Sequence, residues 1–174
     1  RQRMAKKIVD YKECLIETME AFEDDRVLLV SQGKAGIPNA MAIGWGTVGI
    51  VWTRPVFIVL VRPSRFTFGL LHEGGAFSVN IVPPELKEVV TYCGTVSGRD
   101  HNKFKEKGLT ALQAQKIPMP ILKEGILHYE CRIVQMTDVL PSTMDGSIIS
   151  KYYPKGDYHR VFFGEILACQ KEIG

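Results

Sequence analysis

Hydrophobic residues along this chain recur mainly with the period of β-strands, and glycine or proline interrupts them at short intervals. Residues 56–61 form an unbroken, largely β-branched run, which predicts a strand buried on both faces. Phe77, Val79 and Ile81 alternate with smaller or polar residues, which predicts another strand. We predict further strands over 27–30, 41–52, 125–139 and 158–169, the second of them rich in glycine.

Helical spacing is weaker and is confined to short segments. Apolar residues in 5–22 predict an N-terminal helix, and 67–73 predicts a second one closed by Gly74 and Gly75. Pro83 and Pro84 open a predicted helix over 85–92. Residues 100–107 predict a short polar helix stopped by Gly108, and 141–157 is a turn-rich excursion.

Strands that follow one another without regular βα alternation argue against a doubly wound sheet. They favour a mainly β fold, a closed or split antiparallel barrel of the Greek-key type with short peripheral helices. No repeat or linker divides the sequence. We therefore predict one domain over 1–174, with 1–25 as an N-terminal extension or helix.

Charge and cysteine usage narrow the function classes. The net charge is +3 with both signs mixed along the chain, so nucleic acid is not an expected partner. No apolar run is long enough to cross a bilayer and no signal peptide is visible, so we expect a cytoplasmic protein without membrane contact. Four well-separated cysteines have no metal-ligand spacing, and we expect no metal.

The junction between the strand over 56–61 and the following helix concentrates anion-binding groups. Arg62, Ser64, Arg65 and Thr67 lie within six residues there. Helix N-termini favour anions through free N–H groups and the helix dipole, and guanidinium groups match phosphate oxygens. The alternative is solvated surface charge ahead of a Thr67 N-cap.

Two segments could hold the rest of a ligand. Small residues over 39–47 leave room for a flat ring against a strand, although glycines could equally relieve a barrel corner. The Asn80 amide could contact a ligand edge or cap a turn. The polar segment 93–104 could form a second wall, or only a loop in which Asp100 caps the next helix.

His159, just before the last strand, is a candidate proton donor or pyridine-ring contact, or else a structural histidine. No nucleophile–base pair, Walker motif or GxGxxG fingerprint is present. Any redox chemistry would therefore belong to a cofactor, with the protein supplying position and electrostatics.

Five segments in this order resemble the flavin reductase-like family with the FMN-binding split-barrel fold, within it the flavoredoxin branch. They read NAMAIGWGTVG, RPVFIVLVRPSRFT, GAFSVN, CGTVSGRDHNKF and GDYHRVFFGEI, and the resemblance covers about residues 26–171. The last segment departs from the family's GDH-like motif, because Tyr158 is inserted before His159.

The resemblance implies a role for each matching position. Arg62, Ser64, Arg65 and Thr67 would hold the FMN phosphate; Asn39, Ala40, Met41, Gly46, Thr47 and Val48 would line the isoalloxazine ring; Asn80 matches an asparagine at a strand end. Ser97, Gly98 and Arg99 would contact the flavin, in many members across a subunit interface. His159 would lie where nicotinamide docks.

The leading hypothesis is an FMN-binding oxidoreductase that forms a homodimer, with FMN favoured over FAD. It would act either as an NAD(P)H:flavin reductase or as a flavoredoxin-type electron carrier fed by a redox protein such as a ferredoxin. Alternatives are an oxidase resembling pyridoxamine-phosphate oxidase, which shares the split barrel, and a non-enzymatic flavin-binding sensor.

Overall fold

Antiparallel strands dominate the computed structural model, which describes residues 4–173. The strands are β1 Ala5–Ile8, β2 Val27–Gln32, β3 Pro38–Ala42, β4 Gly46–Val51, β5 Arg54–Val61, β6 Ala76–Ile81, β7 Ala111–Leu112, β8 Ile121–Leu122, β9 Leu127–Asp138 and β10 Arg160–Ile173. The α-helices are α1 Leu15–Glu23, α2 Phe66–Gly74, α3 Lys87–Thr95, α4 Lys103–Lys107 and α5 Gly146–Tyr152; 3₁₀ turns span Tyr11–Cys14, Pro84–Leu86 and Pro141–Thr143.

One sheet holds most of the molecule together. Its strand order is β3-β2-β6-β9-β10-β5-β4, and β1 pairs with the far end of β10. Met41 of β3 and Val48 of β4 belong to strands at opposite ends of this order, yet both join the same apolar core. The sheet therefore curls around that core. The predicted mainly β, antiparallel fold with short helices is confirmed.

Aromatic side chains fill the core. Phe57, Phe77, Tyr129 and Phe162 are fully buried, and the rings of Phe57 and Tyr129 meet edge-to-face at 4.9 Å. Phe77 lies so close to β10 that a Cβ on Gly164 would come within 2.5 Å of its Cζ. Only glycine at this position lets β10 bend over the ring.

The predicted N-terminal helix over 5–22 is wrong in its first half. Ala5–Ile8 forms β1, and α1 begins only at Leu15. The ladder from Ala5↔Ile173 to Ile8↔Gln170 covers the edge of β10, so strand pairing outweighs the weak helical spacing. Ile8 is 55% exposed, so the apolar residues of 5–22 do not form one buried helical face.

The predicted strand over 41–52 divides into β3 and β4. β3 pairs with β2, whereas β4 pairs with β5, so the chain must turn as it changes partner. Gly46 lies at the turn, where a Cβ would come within 2.8 Å of the Phe22 ring and 3.0 Å of the Ile58 carbonyl. Gly46 therefore allows the tight turn at the barrel corner.

The other element predictions hold with shifted limits. The helix predicted over 67–73 is α2, and Gly75 ends it with φ +68°. The helix over 85–92 is a 3₁₀ turn followed by α3, and the helix over 100–107 is the shorter α4. The predicted cap Asp100 is wrong, because Asn102 caps α4 by accepting from the Lys105 N–H.

The excursion over 141–157 contains α5, which the turn-rich composition did not predict. Within residues 4–173, no helix is long and apolar enough to cross a membrane. The predicted domain limits, residues 1 and 174, lie outside the described residues.

Candidate functional site

A cavity of about 450 Å³ opens at the start of α2. Its walls come from the end of β3, the turn into α2, the loop after α3 and the segment 152–157, which we call the strap. Of the predicted site residues, the cavity brings together Asn39, Met41, Arg62, Ser64, Arg65, Thr67, Ser97, Gly98 and Arg99. Residues up to 118 positions apart in sequence thus share one space.

The first turn of α2 is open to an anion. Its N-cap is Arg65, and no side chain among the described residues caps it. The first N–H groups of a helix have no intrahelical partner. The Thr67 N-cap alternative is not observed, because Thr67 is buried inside the helix and its hydroxyl accepts a hydrogen bond from Asn39 Nδ2 at 3.1 Å.

Arg65 is the unengaged arginine of this cavity among residues 4–173. Its side chain is exposed, and no residue in the range 4–173 holds its guanidinium by a hydrogen bond or an ion pair. Five basic side chains line the cavity against one carboxylate, that of Asp157, when residues 4–173 are counted. The cavity therefore favours anions.

Arg62 is engaged elsewhere. It donates from Nη1 to the Asp157 carbonyl at 3.0 Å and from Nη2 to the Tyr152 carbonyl at 2.8 Å. Its guanidinium carbon also lies 4.9 Å from the centre of the Tyr153 ring. Arg62 thus anchors the strap, and the expected pair of free guanidinium groups is reduced to Arg65.

Asp157 of the strap lies against the anion-binding turn. Its Oδ1 accepts from the Ser64 N–H at 3.2 Å, and its Oδ2 accepts from the Ser64 hydroxyl at 2.5 Å. The sequence placed Asp157 beside His159 but gave it no role, because Ser64 lies 93 positions away.

The loop over 97–99 packs tightly on the opposite wall. A Cβ on Gly98 would come within 2.3 Å of Asn39 Oδ1 and 2.4 Å of Phe66 Cδ1. Arg99 donates to the Ser64 carbonyl at 3.1 Å and lies over the Phe66 ring. The loop therefore fixes the position of the turn that carries Ser64 and Arg65.

Lys103 is a cavity residue that the sequence did not indicate. It is 3% exposed, and its Nζ donates to the carbonyls of Ala40 at 2.9 Å and Cys93 at 2.7 Å. Burial lowers its pKa. Burial also raises the pKa of the Cys93 thiol, which keeps it protonated at neutral pH. A lysine in a polar segment is normally solvated, so no sequence signal marks this one.

A smaller cavity of about 200 Å³ adjoins the first and shares Met41, Arg62 and Arg65 with it. His159 lines it beside Trp45, with the two ring centres 4.9 Å apart. Nδ1 of His159 is hydrogen-bonded to the Tyr153 hydroxyl at 2.7 Å. Burial, and then the nearby charge of Arg62, lower the pKa of His159 to about 4. The imidazole is therefore neutral near pH 7 and cannot act as an imidazolium acid at that pH.

A third cavity, of about 500 Å³, lies on the other side of the loop over 97–99. It shares Asn39, Phe66, Gly98, Arg99 and Lys103 with the first cavity. No group of three or more His, Cys, Asp and Glu side chains within 4–173 could hold a metal ion. The chemistry of these walls is that of anion and ring binding.

Five predicted site residues do not line these cavities. Gly46, Thr47 and Val48 lie in β4. Ala40 is buried and contributes only its carbonyl, to Lys103. Asn80 is fully buried, with its amide donating to Ser78 Oγ at 2.9 Å and its Oδ1 accepting from the Leu122 N–H at 3.0 Å. Its hydrogen bonds therefore join the core strands to the segment at Leu122.

Sequence comparison identifies relatives. A family model described as the flavin reductase like domain matches residues 19–172. Over 130 residues the chain is 32% identical to an uncharacterized protein of Archaeoglobus fulgidus, which covers 75% of this chain and 63% of that protein. The chain thus spans less than two thirds of that relative's length.

Solved structures share the fold. Flavoredoxin from Methanosarcina acetivorans has a TM-score of 0.68 and 28% identity, over 85% of this chain and 68% of that chain. The FMN-binding domain of a flavin reductases-like enzyme from Shewanella baltica has a TM-score of 0.71 and 16% identity, over 99% of this chain and 80% of that chain. The second likeness concerns the fold alone, and the predicted split-barrel architecture is confirmed.

Proposed function

The chain belongs to the family of flavin reductase-like domains, and on that premise we propose that it is an FMN-binding oxidoreductase of the NAD(P)H:flavin reductase type. The observation that carries the proposal is the anion-binding turn at the start of α2, which opens into a cavity far larger than a phosphate requires. Each part of FMN must fit a part of this space.

The turn into α2 suits the phosphate of FMN. Arg65 offers a free guanidinium, and the uncapped first turn offers backbone N–H groups. Ser64 already donates twice to a carboxylate, which shows that its N–H and hydroxyl converge on one anion. We therefore assign the phosphate to Arg65, Ser64 and the first turn of α2.

The flat isoalloxazine ring suits the space that continues from this turn. Met41, Arg62 and Arg65 line both the large cavity and the 200 Å³ cavity, so one elongated ligand could contact both. When bound, FMN would supply reversible hydride and electron transfer at this ring. The protein's part is to bind, orient and shield it, since His159 is neutral and hydrogen-bonded to Tyr153.

The 500 Å³ cavity supports a nicotinamide-dependent reductase, because it would leave room for the adenosine end of NAD(P)H while the nicotinamide reached the ring through the 450 Å³ cavity, which adjoins both of the other cavities. It adjoins the proposed flavin cavity through shared walls, which leaves room for a second small molecule. The exposed Arg99, common to both cavities, would attract the phosphates of NAD(P)H, whereas Lys103 is buried and already hydrogen-bonded. A carrier that receives electrons from a ferredoxin-like protein requires no such space.

An anaerobic titration of the FMN-loaded protein tests this function. Successive additions of NADH and NADPH are followed by the visible absorbance of the flavin, and dithionite serves as a control reductant. We expect at least one of the two nucleotides to bleach the flavin. If dithionite bleaches it and neither nucleotide does, the reductase assignment is wrong and a protein-fed carrier replaces it.

A further inference from the structure

The strap holds a carboxylate on the donors that would otherwise bind a phosphate. Asp157 accepts from the backbone N–H of Ser64 with one oxygen, at 3.2 Å, and from its hydroxyl with the other, at 2.5 Å. Two oxygens of one phosphate group would need the same two donors. Both anions cannot occupy them together.

The strap is held in this position from a second direction. Arg62 donates to the backbone carbonyls of Asp157 and Tyr152, and its guanidinium lies over the Tyr153 ring. These contacts involve the backbone and a neutral ring, so they do not depend on the carboxylate of Asp157. The strap can therefore stay anchored while its carboxylate moves off Ser64.

The backbone of the strap is shaped for this contact. Asp157 has φ +56°, a left-handed conformation that is unfavourable for most residues, and Gly156 before it has φ +75°. Aspartate and asparagine tolerate this conformation better than other side chains with a Cβ. The two hydrogen bonds to Ser64 offset its cost, which indicates that the contact shapes the local chain.

We propose that Asp157 is an internal competitor for the phosphate site, which lowers the affinity for FMN and keeps the flavin exchangeable. The inference rests on the proposed function, because it takes the phosphate of FMN as the ligand of Ser64. On binding, the phosphate displaces the carboxylate, and on release the carboxylate returns to the same donors. Repulsion between the two anions adds to the competition.

Competition of this kind acts on the phosphate and not on the ring. Riboflavin carries the same isoalloxazine ring without a phosphate, so it does not have to displace Asp157. The preference of the protein for FMN over riboflavin is therefore smaller than its phosphate-binding groups alone would give. Removing the charge of Asp157 should restore that preference.

The test measures dissociation constants of FMN and riboflavin by quenching of flavin fluorescence, for the full chain and for Asp157→Asn. Asparagine keeps the size of the side chain, one acceptor for the Ser64 N–H and a tolerance of positive φ. We expect the FMN dissociation constant to fall by at least about tenfold and the riboflavin constant to change by less than about twofold.

Two further variants serve as controls for this result. Asp157→Gly also permits positive φ and should strengthen FMN binding in the same direction. Asp10→Asn removes an equal charge from the cap of the Tyr11–Cys14 turn, far from the cavity, and should leave both constants unchanged. If Asp10→Asn lowered the FMN dissociation constant as much as Asp157→Asn does, the change in net charge alone would explain the effect, and the inference would be wrong.

The remaining outcomes separate this inference from the proposed function. If the unmodified protein binds FMN and Asp157→Asn binds it no more tightly, Asp157 is not a competitor. An equal gain for FMN and riboflavin would also overturn the inference, because the strap would then control access of the ring. If neither protein binds FMN, the proposed function itself fails.

Discussion

Arg65 differs from the other arginines of its cavity in having no partner among residues 4–173. Arg62 holds the strap, and Arg99 donates to the Ser64 carbonyl. A guanidinium that is already hydrogen-bonded to the protein gains less from an incoming phosphate than a free one. The three arginines therefore have different roles although they lie on the same walls.

Replacement of Arg65 by alanine should weaken FMN binding by at least about tenfold, because it removes a charge-assisted contact. Fluorescence titration measures the dissociation constant. Arg54→Ala is the matched control, since Arg54 pairs with Glu165 at the other end of β5. Equal affinity of Arg65→Ala and the unmodified protein would contradict the phosphate assignment.

Among individual site residues, the sequence identified those that lie close together in the chain. Arg62, Ser64, Arg65 and Thr67 stand together in the chain, so their clustering needed no tertiary information. Asp157 and Lys103 act through contacts with residues far away in sequence, and Asn80 is occupied by the distant Leu122 and His128. Such roles follow from contacts between distant segments, which no local pattern encodes.

The loop over 97–99 is the element that aligns α2 with β3. It approaches both so closely that residue 98 has no room for a side chain. Through Arg99 the loop also holds the carbonyl of Ser64. Its position decides whether the anion-binding turn keeps its shape.

Gly98→Ala should therefore displace this loop, lower the free energy of unfolding by roughly 1–3 kcal/mol and weaken FMN binding, as overpacking does in tight sites. Urea denaturation and fluorescence titration measure the two effects. Gly69→Ala adds the same methyl group to α2, where nothing lies within 4 Å, and should not weaken binding. A Gly98→Ala protein of unchanged stability would show that the loop yields easily.

Elements with strong local signals were predicted well. The helix over 67–73 differs from α2 by one residue at each end, because Gly75 supplies a local stop signal. β1 was missed, because it forms by pairing with the edge of β10, which lies more than 160 positions later in the sequence. The close approach predicted for the glycines of 41–52 occurs at Gly46, where it is to the Phe22 ring and the Ile58 carbonyl, whereas nothing lies within 4 Å of a Cβ on Gly44 or Gly49.

The whole molecule exposes apolar surface near the end of its sheet. Ile50 of β4 is 62% exposed and Trp52 is 57% exposed, with the Trp52 ring 5.5 Å from that of Phe163. β4 is the last strand in the sheet order, so one of its edges is unpaired among residues 4–173. An apolar edge of this kind favours association with a second copy.

We therefore expect a homodimer in solution, with light scattering after gel filtration giving twice the 19.5 kDa chain mass. Ile50→Lys should shift the protein toward the monomer. Ile16→Lys changes a 76% exposed residue of α1, outside the edge formed by β4, and should leave the dimer intact. A monomeric unmodified protein at micromolar concentration would contradict this expectation.

Mild acid should destabilise the fold through its buried histidines. Burial lowers the pKa of His128 to about 3, and His159 is lowered to about 4. The unfolded chain binds protons at both residues near their ordinary pKa of about 6.5, whereas the folded chain does not. Their contribution to stability is thus complete above about pH 6.5 and falls with decreasing pH, by up to about 1.4 kcal/mol per pH unit for the buried His128 and by less for the half-buried His159.

Urea denaturation at several pH values between 7.5 and 6 measures this slope, in a range where carboxylates stay charged in the unfolded chain. His128→Asn should be less stable at pH 7, because Asn80 loses its ring partner, but should show a shallower slope. An identical slope in the variant would exclude His128 as its source.

A crystal structure of the protein with FMN would show whether the phosphate binds at the start of α2. We expect the phosphate within hydrogen-bonding distance of the Arg65 guanidinium and the Ser64 N–H, and the Asp157 carboxylate away from Ser64. A structure in which FMN binds elsewhere while Asp157 still accepts from Ser64 would contradict this placement of the phosphate.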